Sequence, residues 1–526
     1  LHDAAFDAGF IGLDEDLASR AAAATSDDEG ATWQAVFEHQ ASTSIGDVAV
    51  APSNPDIVWV GTGESNVRNS VSFGDGVYKS TDGGRTWQHV GLRDSERVSR
   101  ILINPRDPDN VFVGALGHAF GANDERGVFV TNDGGRTWAK TLFIDNEHGV
   151  ADMDIDPTNP NILYAAMWKF RRTPWTHTSG SERGGVFRST DGGRTWKKLE
   201  GGLPKLMGRI GVKVAPSNPN VVYAITEAKD GTLWRSDDRG ETWRNVSKQT
   251  NIVSRGFYYT HVRVDPTNEN RVYAVASTLY VSIDGGRSFR SITGRTHIDY
   301  HALWIDPRDP RRMWQGQDGG VAVSYDAGNS WEYVNNMPLG QFYQIHADNR
   351  QPFYYVMGGL QDNGTWTGPS RTREPAGILN DDWRMVSFGD GFFAINHADN
   401  PDLYLTESQG GNIVRTDMRT REQQLVVPYL ADDGPAEALK YRFNWNSPII
   451  QSPHDKNTVY LGGSVVFKSA DFGKTWAAIS PDLTTNANRD TIVTMGLRGS
   501  DINISRNDGI QAWPTIVSFA ESPRAA

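Results

Sequence analysis

Apolar and polar positions alternate with a period of two along most of the chain, in short runs separated by turns. The recurring unit is a strand, a turn built on Asn, Asp and Pro, and a second strand ending near glycine or an acid. It appears at Asp47–Gly63 (DVAVAPSNPDIVWVGTG), Arg100–Gly114, Asp152–Ala166, Gly211–Glu227, His261–Ser277, His301–Gln317, Gln344–Leu360, Phe393–Ser408 and Pro448–Gly463. Alternation at period two marks half-buried strands, and Asn-Pro or Asp-Pro between them marks the turn. A third strand such as Gly76–Lys79 follows, then a hairpin turn, then a fourth strand that starts at an aromatic residue. Four antiparallel strands per repeat make one propeller blade.

The hairpin turn carries a fixed phrase, Ser/Thr-x-Asp-x-Gly-x-Ser/Thr-Trp/Phe. It stands at Ser26–Trp33, Ser80–Trp87, Thr131–Trp138, Ser189–Trp196, Ser236–Trp243, Ser282–Phe289, Ser324–Trp331 and Ser469–Trp476. Between Asp82 and Asp326 its aspartates recur every 42–58 residues, the period of stacked small sheets. The carboxylate can accept N–H groups of its own turn, glycine permits a left-handed backbone, and the aromatic residue fills the gap beside the hairpin. Asp28, Asp82, Asp133, Asp191, Asp238, Asp284, Asp326 and Asp471 are therefore expected to be structural.

The expected fold class is all-β: a multi-bladed β-propeller of four-stranded antiparallel blades, nine to ten in number, as one large ring or as part of a two-propeller array. Residues 1–24, rich in Ala and acids, are expected to be an irregular or helical N-terminal segment. Residues 25–340 hold the blades rich in the aspartate phrase. Residues 341–526 hold further blades, with a last, incomplete one beginning at Thr515–Glu521. A single closed ring would need that segment to pair with residues 1–33, where Ala21–Ala24 is a poor strand run. A two-propeller array or a poorly formed first blade is expected instead.

Composition narrows the function. The net charge is −12 with no basic cluster, which argues against a nucleic-acid partner. There is no cysteine, hence no disulfide framework and no thiolate metal site. No apolar run reaches the length of a membrane span. No phosphate-binding loop, Gly-x-Ser-x-Gly elbow or His-Glu-x-x-His motif occurs, so neither a cofactor nor a metal is expected. Asp152-Met-Asp-Ile-Asp156 spaces its carboxylates along one strand face, unlike a calcium loop.

Strand direction singles out one rim. The Asn/Asp-Pro turn and the aspartate phrase fall on the same rim of an antiparallel blade. The opposite rim collects the loops of variable length, where a rigid scaffold places binding residues. Its polar and aromatic residues include Glu64, His148, His301, Asp318, Gln361, Asp362, Asn363, Trp366, Asp390, Glu407, Gln409, Asn444, Trp445 and Asn446, densest after residue 297. Each Asp taken alone also suits an ordinary turn, and each rim Trp also suits packing between blades. The cluster is what points to a site.

The aspartate phrase matches the Asp-box, or BNR repeat, of sialidases, of glycoside hydrolase family 74 and of the sortilin-type VPS10 propeller. With GTGES (Gly61–Ser65), GDGVYKSTDGGRTW (Gly74–Trp87), GLQDNG (Gly359–Gly364) and WNSP (Trp445–Pro448), the chain resembles bacterial sortilin/VPS10-type and family 74-like proteins over about residues 25–523. It lacks the Arg-Ile-Pro motif of sialidases and the cysteines of the module that follows sortilin's propeller. The resemblance implies a secreted or periplasmic carbohydrate-acting propeller that hydrolyses glycosidic bonds of a polysaccharide or oligosaccharide with paired carboxylates. The alternative is a non-catalytic propeller that binds a peptide or protein. On the first reading Asp390 and Asp362 are the expected catalytic pair, followed by Asp318 and Glu407. Trp366 and Trp445 would stack on sugar rings. Glu64, His301, Gln361, Asn363, Gln409, Asn444 and Asn446 would bind hydroxyls.

Overall fold

The computed structural model describes residues 11–12, 23–26, 28, 30–67, 71–173, 176–336, 340, 342–428, 440–494, 496–501 and 513–525. Among them the regular structure is β-strand with short 3-10 turns and no α-helix. The chain divides into two compact units, residues 1–339 with 493–509, and residues 340–492 with 510–526.

Among the described residues the first unit holds seven blade sheets in chain order, and a separate two-stranded hairpin pairs Val493–Thr494 with Leu497–Arg498. Blade 1 has three short strands, Ile11–Gly12, Ala23–Thr25 and Gln34–Ala35. Blade 2 runs Ile45–Ala51, Asn54–Thr62, Val77–Ser80 and Gln88–Gly91, and blade 3 Val98–Asn104, Asp107–Ala115, Gly127–Thr131 and Ala139–Leu142. Blade 4 starts with His148–Ile155 and the long strand Leu163–Thr173, which also pairs with an extra strand, Thr176–Ser179, before Gly185–Ser189 and Lys197–Lys198 complete it. Blades 5, 6 and 7 start at Ile210–Val214, His261–Asp265 and Tyr300–Ile305 and each have four strands.

Each blade presents two apolar faces, because it is sandwiched between neighbours. Trp59 and Val113 meet between blades 2 and 3, Tyr164 and Val212 between 4 and 5, and Val275 and Leu303 between 6 and 7. Trp33 of blade 1 packs with Trp304, Trp314, Val321 and Val323 of blade 7, which closes the ring of this unit.

Several Asp-box tryptophans repeat one contact. Trp87 Nε1 donates to Val36 O at 2.8 Å, Trp138 to Val90 O at 2.8 Å and Trp331 to Ile292 O at 2.7 Å, each reaching the preceding blade. Trp33 does the same across the closure. Its Nε1 donates to Asn336 Oδ1 at 3.1 Å, and Asn336 Nδ2 donates back to Gly30 O and Ala31 O at 2.7 and 2.8 Å. The first aspartate phrase thus belongs to the last interface of the ring.

The second unit holds three four-stranded sheets, opening at Phe342–Ala347 (blade 8), Gly391–His397 (blade 9) and Ile449–Gln451 (blade 10). Leu405 and Phe467 share a core between blades 9 and 10. Thr515–Glu521 does not start a new blade. It runs without strand pairing against blade 10, where Ile516 N donates to Gly463 O at 2.8 Å and Tyr460 OH to Glu521 Oε1 at 3.2 Å. Residues 1–24 lie mostly outside the described residues. The described Ile11–Gly12 pairs with Ala23–Ala24, so the run of alanines expected to resist strand formation supplies a short strand.

Candidate functional site

In the first unit the inner strands of blades 2 to 7 enclose an axial cavity of about 340 Å³. At one end it is lined by Pro52, Pro105, Pro157, Pro216, Pro266 and Pro307, the first proline of each strand-connecting turn. At the other end stand Ser65, Asn66, His261 and His301.

That second end carries the rim the sequence marks for binding, and a buried layer fills it. Arg209, only 1% exposed, donates to Asn66 Oδ1 at 2.9 Å and to the carbonyls of Phe257 and Tyr258 at 2.9 and 3.2 Å. Asn66 Nδ2 lies 3.1 Å from His301 Nδ1, and His301 Nε2 lies 2.9 Å from Asp318 Oδ1. Blades 2 and 5 are not neighbours, so the Arg209–Asn66 bond crosses the ring. Trp168, Phe170, Phe257, Tyr258 and Tyr259 pack around this layer. Glu64, at 1% exposure, and Asp318, at 4%, are buried in it rather than lining an open funnel. The loops responsible, the hairpin extension of blade 4 and the segment before blade 6, are long enough to fold across the axis, which single-blade alternation does not reveal.

The cavity wall holds charges the rim argument missed. Asp47 Oδ2 accepts Ile101 N–H at 2.6 Å, Asp152 Oδ2 accepts Val212 N–H at 3.1 Å and Asp154 Oδ2 accepts Val214 N–H at 2.7 Å, so carboxylates tie the inner strand of blade 2 to that of blade 3 and the inner strand of blade 4 to that of blade 5. Arg100 bridges Asp152, at 2.7 Å, and Asp47, at 3.4 Å, and Lys213 pairs with Asp154 at 3.0 Å. Burial raises the Asp47 carboxyl against the pull of Arg100. Burial drives the His261 imidazole well below its ordinary value, with Arg209 and Arg263 adding to it, so it stands neutral at neutral pH. The Asp-x-Asp alternation at Asp152 and Asp154 is the sequence signal. Asp156, next in that row, instead caps its own turn through Thr158 and Asn159.

In the second unit the remaining candidates come together. Asp390 Oδ1 accepts the Asp362 N–H at 2.9 Å, which ties the Asp390 carboxyl to the Asp362 backbone across adjacent blades. Asp362 sits at φ 59°, a left-handed conformation at the tip of the turn between two strands of blade 8. Gln409 Oε1 accepts the Asp390 N–H at 2.8 Å, and the Gln361 side chain accepts the Tyr343 hydroxyl. Asn363 Nδ2 donates to Gln361 O at 2.9 Å, and Trp366 Nε1 donates to Asn363 O at 2.6 Å. Trp445 O accepts the Gly410 N–H at 3.1 Å, and Asn444 Oδ1 accepts the Asn446 N–H at 3.1 Å. Asp362, Trp366, Gln409, Asn444, Trp445 and Asn446 are all partly exposed.

Glu407 behaves differently. It is fully buried, and its Oε1 accepts the N–H groups of Gly411 at 3.2 Å and Ser447 at 3.1 Å. Burial pushes its carboxyl well above the usual range, opposed by the Ser447 and Gly411 N–H groups. It has no surface from which to reach a substrate, and it bolts the turn of blade 9 to the entry of blade 10.

The sequence matches known proteins in part. The family described as Sortilin, neurotensin receptor 3, matches residues 75–203 and 184–304, all within the first unit. A probable oligoxyloglucan-reducing end-specific xyloglucanase of Neosartorya fischeri is 29% identical over 236 residues, which are 42% of this chain and 26% of that protein. A xyloglucanase of a Paenibacillus species is 25% identical over 334 residues, 53% of this chain and 30% of that protein. The matches therefore span under a third of the length of these two relatives. Among solved structures, a GH74 enzyme of Niastella koreensis aligns with a TM-score of 0.47 at 14% identity, covering 89% of this chain and 78% of that one. The chain is a multi-bladed β-propeller that resembles sortilin-type proteins and xyloglucanases.

Proposed function

We propose that this protein hydrolyses glycosidic bonds in a polysaccharide, with Asp362 and Asp390 as its pair of carboxyl groups. The observation that carries the reading is the Asp390 Oδ1–Asp362 N bond of 2.9 Å, which holds one acid against the backbone of the other on a rim furnished with amides and indoles. Glycosidic cleavage needs one carboxyl to protonate the leaving oxygen and a second, as carboxylate, to attack the anomeric carbon or activate water. Trp366 and Trp445 offer flat faces to sugar rings, and Asn363, Gln409, Asn444 and Asn446 offer amide groups to hydroxyls. The sequence likeness to xyloglucanases supports the substrate class. A polymeric substrate fits a site of action outside the cytoplasm, secreted or periplasmic. No helix among the described residues is long and apolar enough to cross a membrane. Glu64, His301, Asp318 and Glu407 are left out of this reading because Glu64 and Glu407 are buried and His301 and Asp318 are paired with each other.

The test is a panel of xyloglucan, other glucans, pectins and sialosides assayed for new reducing ends. Release from at least one polymer is expected.

One observation favours a second reading. The sortilin match lies wholly in the first unit, whose axial cavity is lined by charged side chains. A panel silent throughout, with retention of peptides on the immobilised protein, would favour a non-catalytic peptide-binding propeller.

A further inference from the structure

His148 opens the inner strand of blade 4, and two polar partners flank its ring. Nδ1 lies 2.6 Å from Asp145 Oδ1, and Nε2 lies 2.5 Å from Ser181 Oγ. Asp145 comes from the loop entering that strand, and Ser181 from the loop between Thr176–Ser179 and Gly185–Ser189. Three side chains that meet only through the folding of blade 4 thus stand in the order carboxylate, imidazole, hydroxyl.

The hydrogen bonds fix the proton positions. Asp145 Oδ1 also accepts the N–H groups of Glu147 and His148 at 2.9 and 3.1 Å, and Arg183 Nη1 holds Oδ2 at 2.6 Å, so this carboxyl stays ionised. An ionised carboxylate only accepts, which puts the ring proton on Nδ1 and leaves Nε2 as an acceptor. Ser181 Oγ already accepts the Gly184 N–H at 3.0 Å, so its own proton is available to Nε2. His148 is 2% exposed, while Ser181 is partly exposed and Glu182 and Arg183 are exposed. The base is sheltered and the serine beside it is partly exposed.

We propose that Asp145, His148 and Ser181 form a nucleophilic site for acyl transfer from short-chain carboxylic esters. Ser181 Oγ attacks the ester carbonyl carbon as its proton passes to His148 Nε2. The carbon–oxygen bond to the alcohol breaks, and the imidazolium returns that proton to the departing alkoxide. Water, deprotonated by the same nitrogen, then cleaves the acyl-serine to the carboxylic acid and restores the hydroxyl. The small and polar surroundings, Glu182, Arg183, Gly184 and Gly185, suit a short acyl group. Burial lowers the imidazole's proton affinity, opposed by Asp145 and assisted by Lys169 and Arg183, so His148 is the neutral base this step requires. The site is independent of the carboxyl pair in the second unit and of the carbohydrate reading.

A fluorophosphonate probe reports the same attack, since Oγ–phosphorus bond formation expels fluoride and leaves a stable adduct. The intact protein is incubated with the probe and the modified peptide is mapped by mass spectrometry. Labelling at Ser181 is expected. Ser181→Ala is expected to abolish it, and His148→Gln to slow it at least about 100-fold, the contribution of a positioned base. The labelling rate of the unaltered protein is expected to rise with pH through an inflection below the ordinary histidine value. That readout does not depend on the His148 variant folding, and a clamp that only holds loops together would not show it. A folded protein that resists the probe, a label elsewhere that survives Ser181→Ala, or a rate flat across the acidic range would overturn the proposal.

Discussion

Thr86 and Thr195 each turn a hydroxyl and a backbone N–H onto the carboxylate four residues before them. Thr86 Oγ1 reaches Asp82 Oδ2 at 2.6 Å and its N–H reaches Oδ1 at 2.9 Å, while Ser80 Oγ donates to Asp82 and accepts the Gly84 N–H at 2.8 Å. The same bonds recur at Asp28, Asp133, Asp191, Asp238, Asp284, Asp326 and Asp471. Replacing Asp191 by Ala removes such a cap and is expected to cost about 0.5–2 kcal/mol in denaturant unfolding. An unchanged midpoint and slope would contradict the structural role. Hydroxyl and backbone donors also hold the Asp82 and Asp191 carboxyls at about 2, below the ordinary carboxylate range. A lowered carboxyl stabilises the fold above its unfolded value and loses that contribution as pH falls through its folded value. The melting temperature is therefore expected to drop between about pH 4 and pH 2, and a flat profile there would count against it. These roles were legible in the sequence because every donor lies within five residues of its acceptor.

At the scale of the element, period-two alternation found the inner and second strands of blades 2 to 10. In blade 2, for example, Val48, Ala49 and Val50 face Val60, Trp59 and Val58 across the sheet. What alternation could not give was long-range partnership. Trp33 and Asn336 lie far apart in sequence, and only their contact shows that the first aspartate phrase closes the ring of the first unit. Thr515–Glu521 alternates like a strand yet packs on blade 10 without strand pairing. The extra hairpin of blade 4 and the loop before blade 6 were equally silent, because their apolar residues follow no repeat. Trp33→Ala is expected to destabilise the first unit by about 2 kcal/mol, below the cost for a fully buried aromatic. Hydrogen exchange should then rise together at Gln34–Ala35 and Glu332–Tyr333. Faster exchange on one side only would show that the closure is not cooperative.

At the scale of the whole chain, one repeated blade serves two different ends. In the first unit the variable loops fill the rim, Asn66, Arg209, His301 and Asp318 are linked beneath an aromatic layer, and Glu64 is buried. In the second unit Asp362, Asp390, Gln361 and Gln409 meet on a rim that keeps its indoles partly exposed. Residue type marked both groups alike; Asp390, at 6% exposure, is nearly as buried as Asp318, and what distinguishes the second group is the partly exposed Asp362, Gln409, Trp366 and Trp445 beside it, which depends on loops no local pattern encodes. The carboxyl pair is the centre of the account, and its most direct test is the rate of reducing-end release from xyloglucan by the unaltered protein and by Asp390→Asn. Release by the former, and a rate at least about 100-fold lower in a variant with unchanged melting temperature, is the predicted result. Equal rates in the two proteins, or no release by the unaltered one, would contradict it.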